Sequence, residues 1–75
     1  MELLIIKSGN EYIRVKAENY ILCRLDKASV FPMEKLEEVR NHTMILREKG
    51  FRRISISRLK LSEEPFENQD IEDKK

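Results

Sequence analysis

Arg47, Lys49, Arg52, Arg53, Arg58 and Lys60 crowd one stretch of the chain against a single acid, Glu48. Cations at this density are the groups that neutralise phosphates, and each contact steepens the salt dependence of binding. A structural explanation competes: cations favour the C-terminal end of a helix, and charge on an edge strand deters aggregation. The overall balance favours the structural one, because the formal net charge is only +1, far from the strongly basic domains that hold nucleic acid. That small net conceals an asymmetry. Residues 62–75 carry Glu63, Glu64, Glu67, Asp70, Glu72 and Asp73 against Lys74 and Lys75, a segment of −4, which leaves +5 on residues 1–61. An acidic segment of this kind can mask the basic one or compete with its ligands.

Cys23 and His42 are the sole thiol and the sole imidazole among the 75 residues. A catalytic pair needs nucleophile and base in hydrogen-bond reach and a third group to orient the base, and no spacing here supplies that. Cys23 sits in an apolar run and reads as packing. His42 follows Glu38 by one helical turn and reads as a helix-surface residue. Glu37-Glu38 and Glu63-Glu64 are sequence neighbours, which point apart on a helix or are solvated, so neither forms an acid/base dyad. One Cys closes no intrachain disulfide and completes no structural zinc site with one His. Both glycines are used in turns, so no Gly-rich phosphate loop exists. The chain is expected to be non-enzymatic, with no catalytic, cofactor-binding or metal-binding residues and no small-molecule substrate.

The elements that carry these residues follow from pattern. Leu3 to Lys7 and Tyr12 to Lys16 are strand-like runs joined by Ser8-Gly9-Asn10-Glu11, a two-residue hairpin signal. Ile13 and Val15 share one face. The four-residue apolar run Leu3-Leu4-Ile5-Ile6 asks for cover on both faces, as a central strand has. Ala17-Glu18-Asn19 turns into a third strand, Tyr20 to Leu25. A connection over Asp26 to Phe31 leads to a helix over about Pro32 to Lys49, with Pro32 at the first helical position. Glu34, Glu37 and Glu38 at its start and Arg47 and Lys49 at its end complement the dipole. Gly50 ends it in a Schellman cap with Phe51 folding back onto Leu46. Leu36, Val39, Thr43 and Leu46 form the core stripe, and Ile45 lies half a turn away with Met44 at the margin. Arg52 to Leu61 returns to strand, with a parity slip near Ser57-Arg58 that a β-bulge would absorb.

These elements predict an α+β fold: a single small βββαβ domain over residues 1–61, one helix on a three- to four-stranded, mostly antiparallel mixed sheet. The strand order is 3-2-1-4, with the fourth strand parallel to the first. Residues 62–75 read as an acidic, disordered tail. The chain is too short for a deep cleft, and a core this thin, without disulfide or metal, favours pairing with a second copy. The apolar segments are too short for a membrane span, and the N-terminus lacks a signal-peptide pattern. A cytoplasmic setting is expected.

Two functions of different class follow. The first is a protein-interaction module, its partner another protein or a second copy, docking at a sheet edge or at Met44 and Ile45. The alternative is nucleic-acid or polyanion binding through Arg47, Lys49, Arg52, Arg53, Arg58 and Lys60.

Overall fold

The structure, a computed structural model, describes residues 1–17 and 19–62. The expected acidic tail falls, from residue 63 on, outside the described residues. The elements run β1 (Glu2–Ser8), β2 (Glu11–Lys16), β3 (Asn19–Cys23), β4 (Val30–Pro32), α1 (Leu36–Glu48) and β5 (Ile54–Lys60), with 3-10 turns at Leu25–Lys27 and Met33–Lys35. The five strands form one antiparallel sheet with α1 on one face.

The β1–β2 hairpin turns over Gly9 and Asn10, Ser8 pairing with Glu11. Gly9 takes φ 63° while Asn10 does not enter the left-handed region, the φ pattern of a type II′ turn. β2 then pairs with β3 from Tyr12–Cys23 to Lys16–Asn19. The helix ends as its sequence asks. Gly50 has φ 97°, its N–H bonds the Arg47 carbonyl at 3.1 Å, and the Phe51 N–H reaches the Leu46 carbonyl at 3.0 Å, the paired bonds of a Schellman cap.

The core lies between α1 and the sheet: Leu4, Ile6, Ile13, Val39, Leu46 and Ile54, with Val15, Tyr20, Phe31, Leu36, Phe51 and Ile56 packed around them. Val39, Thr43 and Leu46 are the buried stripe of α1. The apolar run in β1 is used on both faces, because Leu4 and Ile6 join the helix-side core while Ile5, only 2% exposed, is buried on the other side.

Four expectations are corrected. β5 is antiparallel to β1, not parallel. The connection before the helix contains β4, which pairs Leu3–Pro32, Leu4–Phe31 and Ile5–Val30 antiparallel to β1. This strand adds one reversal and inverts the direction in which the chain re-enters the sheet, so no parallel crossover is made. Pro32 closes β4 with φ −68° and ψ 159° instead of opening the helix, which begins at Leu36. No bulge interrupts β5, since its ladder with β1 is continuous from Glu2–Lys60 to Ser8–Ile54. Leu59 simply belongs to the face opposite Ile54 and Ile56, beside Leu3 and Ile5, so both parities of β5 are apolar for the same reason as in β1.

β1 is therefore the hub, bordered by β5 along one edge and by β2 and β4 in succession along the other. Ser29 fills the fork between β2 and β4: its N–H bonds the Ile13 carbonyl at 3.1 Å and its hydroxyl accepts the Val15 N–H at 2.8 Å.

Candidate interaction surface

The rim of the sheet is formed by β3, β5 and the three-residue β4, which pairs only with β1 and ends in Pro32, and hydrogen bonding shows which groups the two longer edges, β3 and β5, expose. On β5, the Gly9 N–H to Arg53 carbonyl bond (3.0 Å) and the Leu61 N–H to Met1 carbonyl bond (2.7 Å) set the phase of the ladder. Alternation then turns the N–H and C=O of Ile54, Ile56, Arg58 and Lys60 outward. On β2, the Ile13 carbonyl and the Val15 N–H are taken by Ser29, so they point away from β3. Ile13–Leu22 and Val15–Tyr20 are consequently the non-hydrogen-bonded pairs, and Tyr20 and Leu22 direct their N–H and C=O to the open edge.

The edges differ in protection. The Ile54 carbonyl accepts from Arg47 Nη2 at 3.2 Å, and Arg58 and Lys60 place charge beside the next open groups, Arg58 within 3.7 Å of Glu2. Strand β3, Asn-Tyr-Ile-Leu-Cys, contains no charge. Its Ile21 and Leu22 are 42% and 44% exposed, on opposite faces. Charge, proline and bulges are the usual guards of an edge, and β3 has none of them.

Leu22 also lines a surface hollow of ≈ 340 Å³ with Ser8, Lys49, Gly50, Phe51 and Arg52. Here the bare edge meets the basic corner. Arg53 adopts φ 52°, a left-handed conformation unfavourable for a side-chain-bearing residue. The Arg52 carbonyl accepts the Ser8 hydroxyl at 2.7 Å, and a Cβ built on Gly9 would lie 2.9 Å from the Arg53 guanidinium. The loop after α1 is thus clasped to the first hairpin, which fixes Lys49, Arg52 and Arg53 around one end of the sheet. Among the described residues no carboxylate pairs with these three. Arg58 and Lys60 lie at the other end of β5, so the six cations form a corner group and a distant pair.

Met44 and Ile45 are exposed on α1, with Met33 before it, off the buried stripe. The ring of Tyr20 packs edge-on to His42 and Phe51, and its hydroxyl lies 2.8 Å from His42 Nδ1. Tyr12 has Lys7 Nζ over its ring at 5.2 Å. His42 is half-buried between Tyr20 and Phe31, not a surface residue, because its flank of the helix leans over β3. Its Nε2 stands 3.8 Å from Glu38 Oε2, and the tautomer protonated there leaves Nδ1 to accept from the Tyr20 hydroxyl. Missed by sequence pattern, this contact joins residues 22 positions apart and has no local signal.

Cys23 and His42 fall on opposite faces of β3, since Tyr20 alternates with Ile21 and Cys23 across the strand. Burial pushes the Cys23 thiol above its ordinary value, Arg14 opposes this, and Asp26 and Glu11 add to it. That surrounding disfavours a thiolate nucleophile. Cys23 lines a broad hollow of ≈ 770 Å³ with Asn10, Glu11, Tyr12, Arg24, Leu25 and Asp26. Among the described residues no group of three metal-ligating side chains converges, and no helix is long and apolar enough to cross a membrane.

No protein family matches the chain, and no curated protein sequence and no solved structure matches it.

Proposed function

We propose that this chain is a small non-catalytic protein-interaction module of the cytoplasm, which engages its partner along the open edge of β3. The carrying observation is the contrast between the edges: β5 is covered by Arg47 and flanked by Arg58 and Lys60, while β3 presents Tyr20 and Leu22 without a charged guard. An exposed apolar edge is a template for another extended chain, main-chain bonds supplying affinity and alternate side-chain pockets specificity. The hollow beside Leu22 and Phe51 is such a pocket. The lone Cys23 suits a reducing compartment, and its separation from His42 supports a role without catalysis.

The test is selection of displayed random peptides on the full chain, counter-screened with Ile21→Lys. Recovery of extended apolar peptides that lose binding to Ile21→Lys supports the reading. Peptides that bind both proteins equally place the interaction elsewhere, and the edge reading fails.

The corner of Lys49, Arg52 and Arg53 supports a second reading, polyanion binding, because these cations have no carboxylate partner among the described residues and share one end of the sheet. Fluorescence anisotropy of labelled single- and double-stranded oligonucleotides tests it. Binding that weakens steeply with salt and disappears in Arg52→Glu/Arg53→Glu supports it, and no binding at low salt removes it.

A further inference from the structure

We infer that the occupant of the β3 edge is a second copy of the same strand, paired antiparallel about a two-fold axis at Ile21. This rests on the edge reading above and names its partner. The backbone groups are self-complementary. With Tyr20 and Leu22 outward and two positions apart, an antiparallel copy centred on Ile21 sets Tyr20 opposite Leu22 of the other chain. Each such pair exchanges N–H and C=O in both directions. All outward groups of the strand are then satisfied, and no other register centred within Asn19–Cys23 does this. The absence of charge on the strand removes the like-charge opposition that usually forbids self-pairing.

Closure supplies the second argument. A sheet with a single bare edge, if it joined that edge to a guarded one, would grow without end. Joining bare to bare consumes both at once and leaves outside the two β5 edges, which Arg47, Arg58 and Lys60 already protect, and the short β4, which ends in Pro32. A two-fold normal to the sheet also keeps both helices on one side, so no covered core is reopened. Ile21, on the face away from α1, meets its own copy at the axis as a non-hydrogen-bonded pair, the close pair of an antiparallel ladder, with Cα atoms about 4.5 Å apart.

That spacing lies within the range a disulfide spans, which gives a register-specific test. In full-length Cys23→Ser protein, Ile21→Cys is oxidised with diamide and run on a non-reducing gel beside Asn19→Cys, with sedimentation equilibrium on the unmodified chain and on Ile21→Lys and Leu22→Pro. Proline at 22 removes only an outward N–H and is tolerated on an edge; circular dichroism confirms the folds. The inference expects a mass twice the 9.0 kDa of the chain, reverting to monomer in Ile21→Lys and Leu22→Pro. It also expects a covalent dimer from Ile21→Cys but not from Asn19→Cys. A dimer that survives both edge variants, or cross-links equally at both cysteines, overturns it. A monomer at every concentration overturns it too. If the chain is monomeric but edge-dependent peptides are selected, the interaction reading stands without this partner; if neither is found, both fall.

Discussion

The Tyr20 hydroxyl and His42 Nδ1, 2.8 Å apart, tie edge strand β3 to the helix through the only imidazole in the chain. Burial raises the Tyr20 pKa above its ordinary 10.0. The folded value lies above the unfolded one, so this contribution to stability is complete below 10.0 and is lost as pH rises through the folded value. As pH rises past 10.0, urea midpoints are expected to fall more steeply in the unaltered protein than in Tyr20→Phe. Parallel pH dependences would contradict the assignment. At neutral pH, Tyr20→Phe is expected to cost about 1 kcal/mol through the loss of one hydrogen bond.

Ser29 holds the fork where β2 leaves β1. Ser29→Ala removes the acceptor of the Val15 N–H, and an unpaired, part-buried donor costs about 1–3 kcal/mol. Chemical denaturation should show that loss, with Ser29→Thr retaining most of the stability because it keeps the hydroxyl. Equal losses in both variants would show that side-chain size, not the hydroxyl, matters there.

Gly9 and Gly50 both occupy positive φ, yet they differ in surroundings. Nothing lies within 4 Å of a Cβ at Gly50, so Gly50→Ala should cost only the backbone term, about 1 kcal/mol. At Gly9 the added methyl meets the Arg53 guanidinium at 2.9 Å, and the side chain must swing away from the hairpin. A double-mutant cycle with Arg53→Ala is the measurement. Gly9→Ala should cost more than Gly50→Ala in the parent and less in the Arg53→Ala background; an additive cycle would deny the contact.

Cys23 should alkylate slowly near neutral pH. The midpoint of its rate against pH is expected above the ordinary 9.0, since burial is the leading influence. Arg14→Gln should move it further up and Asp26→Asn down, followed by mass spectrometry of iodoacetamide adducts. Shifts of the opposite sign would refute the surroundings described for the thiol.

Periodicity and turn chemistry carried much of this fold in the sequence. The Gly9-Asn10 hairpin, the Val39-Thr43-Leu46 stripe and the Gly50 cap are all local patterns of a few residues, and each is present. The order of β3, β2, β1 and the last strand was also legible, because the most apolar run needs neighbours on both edges. Strand β4 was not. Val-Phe-Pro is three residues long, below the length at which alternation can be read, and its omission inverted the inferred direction of β5. Arg58 and Lys60 could be assigned to a strand but not to the far end of the sheet from Arg52 and Arg53. That separation depends on register, which is tertiary. The candidate interface was legible only as a generic sheet edge. Naming β3 required the hydrogen bonds of Ser29, fourteen positions from Val15.

The position of β1 as hub also governs how the chain reaches its fold. On one edge of β1 the Lys7–Ser8 end is paired by β2 across a two-residue turn, an event on the order of microseconds for an isolated hairpin, and Leu3 to Ile5 by β4. The other edge waits for β5, whose Lys60 must find Glu2 at the far end of the described chain, and closing so long a loop is entropically slower. Until then β1 is itself a bare apolar edge. The Ser8 and Gly9 bonds to the carbonyls of Arg52 and Arg53 sit where that ladder has its shortest span, and zippering from this clasp toward Glu2 is the route that encloses the fewest free residues at each step.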